Sequence, residues 1–418
     1  MNEALASVSP KRLAPARSLA LIAVLALVSS TCLAQQAMTA PAPAPTVPAM
    51  EKPLPGLDLS SIDLAADPCT DMYKFSCGKF AANHPIPGDQ PGVDPFYVLY
   101  NVDTQELNDI LQKTQAGGAT RSPDEQKIGD YFKGCMDTSA INAKGLKPLQ
   151  PLLSEIDALG DSPAGRAQLA ALLGKLHRTG VDVFFGYGEQ QDFKDATKQI
   201  AEIGQGGLGM PEKDYYLRTG DKDVKLRADY VDHVAKMLVL AGSTPDQAKK
   251  DAQNIMTMET ALAKASLGVV DMREPEKTYH LQPIATLEAS LPNFNLTAYE
   301  DAIHSPRVTE INNSTPQFWP EMIKQMQTTD IATIKAYLRY HLLTTVARNL
   351  PHDFDAENFA FYGRTLSGQP EQQARWKRCS NAVNGALGEA LGKVYVSQYF
   401  AGDSKAQMLQ MVHDIEAA

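Results

Sequence analysis

The chain has 418 residues, 44% hydrophobic and 21% charged, which is the composition of a globular protein with room for two or three ordinary domains or one large interlocked one. Its formal net charge is −10, without a basic cluster, and this excludes nucleic acid and anionic lipid surfaces as partners of the folded part.

The first predicted element is an export signal. Lys11, Arg12 and Arg17 precede the apolar run 19–28, and Cys32 and Ala34 then occupy the −3 and −1 positions of a cleavage site before Gln35. That run is shorter than the roughly 20 residues a membrane span needs. Residues 1–34 therefore read as a signal peptide, and the mature chain as periplasmic or secreted. Removing them takes away Glu3 and the three basic residues, so the charge moves from −10 to −12. Residues 35–64 open with an Ala/Pro tether that has no core-forming content.

Asp67-Pro68 predicts a helix start, an acceptor at the N-cap and proline at the first helical position. If that helix runs to Phe80, Cys69 and Cys77 lie eight residues and about 12 Å apart. A disulfide needs Cα atoms within roughly 7 Å, so these two cannot bond to each other. In an oxidising compartment Cys69, Cys77, Cys135 and Cys379 have three pairings, and the helix removes one of them.

Further along, Ser122-Pro123-Asp124-Glu125 is a capping box, and Ser162-Pro163 opens a helix that stops at Gly180. Thr244-Pro245 opens another, with an apolar stripe from Ile255 to Leu267. Thr329 caps a segment that runs to Leu350 and is ended by Pro351. Residues 370–400 predict one long helix or two abutting ones, and Asp403-Ser404 starts a last one. The exception is 181–186, β-branched and aromatic, which pairs with 198–203 as a small hairpin. The predicted class is mainly α with a small β-hairpin.

Catalytic patterns are missing. No two of the eight histidines are closer than eleven residues, so no helix turn presents a His-Glu-x-x-His pair to zinc. The Gly204–Gly209 run lacks the Gly-Lys-Ser/Thr ending of a P-loop and reads as a turn requiring positive φ. Asn295-Leu296-Thr297 fits a glycosylation acceptor, a frequent chance match.

Several segments, in order, resemble the neprilysin and endothelin-converting-enzyme family of zinc metallopeptidases. They are Asp67-Pro68-Cys69 with Tyr73, Cys77-Gly78 and 83–87, then Gly207–Pro211 with Asp214–Leu217. Glu259–Ala263 follows, and finally Arg375–Cys379 with Leu387–Gly392 and Tyr395-Val396. The resemblance covers 65–418 and implies the mainly helical, non-catalytic N-terminal region of an exported peptidase that cleaves short peptides. In that family the zinc motif and its further ligands come after the matched region. The chain is therefore expected to be truncated and inactive as it stands, with catalytic residues none and metal ligands none. Zinc belongs to the complete enzyme. The resemblance further implies a Cys135–Cys379 disulfide, partners for Cys69 and Cys77 outside these residues, and a substrate-side role for Phe96. The basic residue that the family has four positions earlier is Gly92 here. The alternative is a stand-alone peptide-binding or scaffold module derived from such a peptidase.

Overall fold

A computed structural model of the protein describes residues 58–417, apart from 119 and 401. The expected signal peptide and most of the tether lie outside these residues. The described chain is mainly helical with one four-stranded sheet, and its side chains close into two separate apolar cores.

The larger core is built on four helices, Leu169–Arg178, Asp221–Leu240, Pro245–Ala265 and Ile331–Val346, and on one face of the sheet. Thr244 caps its helix through an Oγ1 acceptor, as the Thr-Pro signal predicts. The cap expected at Thr329 is one residue off. Asp330 accepts from the Thr333 N–H at 2.9 Å, while Thr329 closes the preceding Trp319–Thr328 helix. A carboxylate is the stronger acceptor of the two for an N-terminal turn. The helix expected from Ser162 to Gly180 is broken into Pro163–Ala167 and Leu169–Arg178.

The hairpin forms, but later in the chain than the pattern predicts. β1 is Phe185–Gln191 and β2 is Gln199–Gln205, with Phe185 opposite Gln205. Val181 and Val183 are buried ahead of the strand, and Phe184 turns the chain at φ 59° while its N–H donates to Tyr337 Oη at 2.8 Å. A left-handed residue cannot continue a strand, so pairing starts one residue on. Two further short strands were not legible as such. β3 is Leu281–Pro283 and β4 is Glu310–Asn313, and the sheet order is β1-β2-β4-β3 with β2 and β4 parallel.

The smaller core joins three helices, Pro95–Gln115, Pro123–Met136 and Arg375–Tyr399. Ile110, Leu111, Ile128, Phe132, Trp376, Val383 and Leu391 fill it. Cys135 and Cys379 are bonded across it, with Cα atoms 5.8 Å apart. Arg375 adds a polar clasp, donating from both Nε and Nη2 to the Cys135 carbonyl at 2.9 and 2.7 Å. The long helix departs from helical geometry at Leu387, so two helical segments abut there.

One expected element is corrected. Residues 67–80 are not a continuous helix. Asp67 accepts from the Cys69 N–H and the Thr70 hydroxyl and holds a single turn, after which Asp71 caps a new helix, Met72–Cys77. Each aspartate serves its own turn, Asp67 taking the Cys69 N–H and Asp71 the Lys74 N–H, and the chain breaks at Asp71 because that cap is non-helical at φ −150° and ψ 86°.

Candidate functional site

Phe96 is the second residue of the Pro95–Gln115 helix, whose entry is fixed by Asp94 accepting from the Tyr97 N–H at 2.7 Å. Its ring is 83% exposed, so it is not a core residue. Around it in the sequence Leu59, Leu64, Met72, Tyr73, Ile86 and Leu99 are also exposed. This is an unusual density of large apolar side chains for a surface. Gly92 has open space where a Cβ would stand. The strap that carries it is laced to the start of the Arg375–Tyr399 helix. The Glu371 N–H donates to the Gly88 carbonyl at 2.8 Å, and Lys377 Nζ pairs with Asp89 at 2.9 Å. Cys69 and Cys77 lie in the same stretch of sequence, both exposed and both without a disulfide partner among the described residues.

On the large-core side the glycines of the Gly204–Gly209 run meet contacts that leave no room for a Cβ. A Cβ on Gly207 would stand 2.2 Å from the Phe184 nitrogen, and one on Gly209 1.8 Å from Tyr230 Oη. Gly207 has φ +75°, as the turn reading requires. Tyr337 Oη donates to the Gly207 carbonyl and Tyr362 Oη to the Gly209 carbonyl, each at 2.8 Å. Beneath them Glu259 is fully buried and accepts from Tyr216 Oη at 2.7 Å, Tyr230 Oη at 2.9 Å and His341 Nε2 at 3.0 Å. Burial, with the Glu259 charge second, pushes the Tyr216 and Tyr230 phenols well above the usual tyrosine range. They stay donors at any ordinary pH. The network ties the glycine run to five helical segments, those of Tyr216, Tyr230, Glu259, Tyr337 with His341, and Tyr362, and all its members are satisfied within the fold.

The histidines are scattered, as their spacing implies. His177 bridges Tyr299 Oη and the Val183 carbonyl, His233 contacts Glu357, and His304 ends the Leu296–Ile303 helix at φ 64°. Among the described residues no three His, Cys, Asp or Glu side chains converge to hold a metal ion. Among the described residues no set of side chains fits a zinc site. Asn295 is a helix N-cap, its Oδ1 accepting from the Ala298 N–H at 2.9 Å, which accounts for its place in the sequence without a glycan.

What sequence reading missed is the Glu259 network and the π-helical segment Phe359–Leu366, which carries Tyr362 into it. The Tyr337-x-x-Tyr340-His341 spacing, three polar aromatics on one face of an otherwise buried helix, was the available signal.

The model of peptidase family M13, its N-terminal region, matches residues 68–418. The chain is 27% identical over 377 residues to neprilysin-3 of Drosophila melanogaster, covering 86% of this chain and 48% of the relative. It is 26% identical over 371 residues to endothelin-converting enzyme 1 of Rattus norvegicus, with the same two shares. The fold is similar to that of the Mycobacterium tuberculosis zinc metalloprotease ZMP1 solved with an inhibitor, at TM-score 0.78 and 31% identity, over 87% of this chain and 54% of that one. The chain spans about half the length of the curated relatives it matches.

Proposed function

The chain belongs to peptidase family M13, and on that premise we propose that residues 65–418 form the helical, non-catalytic region of an exported zinc metalloendopeptidase acting on small peptides. The observation that carries the reading is the match along 68–418 to the family model, alongside relatives whose own length is about twice the matched stretch. The zinc-binding His-Glu-x-x-His pattern is absent from these 418 residues. By themselves they neither hold a catalytic zinc nor hydrolyse peptides.

Exposed Phe96 is assigned to the substrate side of this region, and exposed Cys69 and Cys77 to partners in the part that supplies the zinc ligands. Two reactive thiols per folded, oxidised chain are expected in a thiol titration; a count of none would refute the assignment of Cys69 and Cys77 to outside partners. Metal analysis and a quenched-peptide assay test the main reading. Purified residues 35–418 are expected to show neither bound zinc nor cleavage, and stoichiometric zinc with chelator-sensitive cleavage would overturn it.

A further inference from the structure

Between the π-helical segment and the start of the Arg375–Tyr399 helix lies a polar cleft of about 300 Å³. That volume is at the lower end of the roughly 300–1,000 Å³ of ligand pockets, enough for part of a peptide. Three of its groups are unspent. Arg348, on the 3-10 turn Ala347–Asn349, is exposed and has no ion pair or hydrogen bond among the described residues. Asn358 Oδ1 is shielded from solvent and has no hydrogen-bond partner. Arg378 uses Nη1 on Asp355 at 2.6 Å and Nε on the Gln373 carbonyl at 3.0 Å, which leaves Nη2 free.

The one acid lining the cleft is spent on groups other than Arg348. Asp355 is already engaged by Arg378, by Gln372 Nε2 at 3.0 Å and by Arg375 at 3.8 Å. The cleft is thus locally cationic in a chain of net charge −10. Its far wall includes Asn381, whose Nδ2 donates to Tyr100 Oη, one helical turn beyond Phe96. The cleft therefore adjoins the exposed aromatic surface.

We propose that this cleft is a carboxylate subsite for a bound peptide. Arg348 pairs with the carboxylate and Arg378 Nη2 supplies a second N–H. Asn358 Oδ1 accepts from a peptide N–H of the same ligand. Charge-assisted bonds of this kind are the strong class, so a neutral isostere should be clearly disfavoured. The inference rests on the peptide-processing reading for its ligand, but its test is a binding measurement that requires no zinc and no cleavage.

The experiment is fluorescence anisotropy on the purified chain. It uses a fluorescein-labelled hexapeptide with one glutamate, its glutamine counterpart, and both with the C-terminus as acid or amide. Glutamate over glutamine, or acid over amide, is expected to bind about tenfold tighter. Which of the two shows the preference identifies the carboxylate as a side chain or a chain end. Arg348→Gln is expected to abolish the preference and Arg348→Lys to retain part of it; Arg348 is exposed, and an unchanged melting curve verifies folding. Asn358→Leu is expected to weaken all four peptides alike. Equal affinities for all four peptides, a preference that survives Arg348→Gln, or no binding at all would each overturn the proposal. Loss of the zinc-peptidase reading would appear only in the metal and cleavage assays, leaving these ratios unchanged.

Discussion

The two cores of this molecule solve the same problem by opposite means. The larger one seals a buried carboxylate and a glycine run inside polar bonds that close on themselves. The smaller one is three helices held by apolar packing, one disulfide and one arginine clasp, with its first helix presenting Phe96 and Leu99 to solvent. The first arrangement tolerates little change and offers little to a ligand. The second is a stapled frame that holds out a surface.

The comparison breaks most readily at the glycine run. Gly207→Ala places a Cβ against the Phe184 nitrogen at a positive φ, and Glu259→Leu leaves two phenols and an imidazole without their acceptor. Each is expected to cost about 4 kcal/mol or more, read as a fall in the urea midpoint or failure to accumulate as folded protein. Cutting the staple comes next. The bond closes a loop with a sequence separation of 244, so Cys135→Ser with Cys379→Ser should cost about 2–5 kcal/mol. Hydrogen exchange should show the loss concentrated in the three helices of the smaller core; a uniform loss over both cores would erase the distinction drawn here.

Acid sharpens the contrast in the other direction. His177 and His233 both belong to the large-core side, and burial pulls both below the ordinary 6.5, against the Val183 carbonyl in one case and Glu357 in the other. A base whose folded pKa is depressed binds its proton more readily when unfolded. Its contribution to stability is whole above about pH 6.5 and is lost as the pH falls from there toward the folded value. The slope is at most about 1.4 kcal/mol per pH unit for each histidine. Urea midpoints at pH 7.5 and 5.5 measure it, and His233→Phe should flatten the profile. The smallest effect is expected at Phe96→Ala, within about 0.5 kcal/mol of the parent in urea, because its ring is exposed. A large loss there would return Phe96 to a packing role.

Much of the helical frame was legible because its starts are chemical. Ser122 and Thr244 followed by proline each became a cap with the donor expected of it. The hairpin was legible from its β-branched run, and its register was not, since a single left-handed Phe184 set it from tertiary contact with Tyr337. β3 and β4 carry too few residues to show a period, and their pairing comes from segments far apart in the chain. The helix over 67–80 failed because two good caps stand four residues apart and the fold uses both, one for a single turn and one for Met72–Cys77. Phe96 could be named from a resemblance, yet its exposure could not be read from its neighbours. Arg348 and Asn358 gave no local signal, since their meaning lies in what the fold fails to place beside them.

The clasp between Arg375 and the Cys135 carbonyl also bears on timing. In synthesis order Cys69 and Cys77 come first, Cys135 soon after, and Cys379 much later. At roughly 5–20 residues per second the last is separated from Cys135 by tens of seconds. Throughout that interval Cys77 is the nearest available thiol. Arg375 is made only four residues ahead of Cys379, so its contact with the Cys135 carbonyl forms at the end of that interval and helps set the register of the native pair. Four residues along the same helix, Cys379 then arrives already positioned.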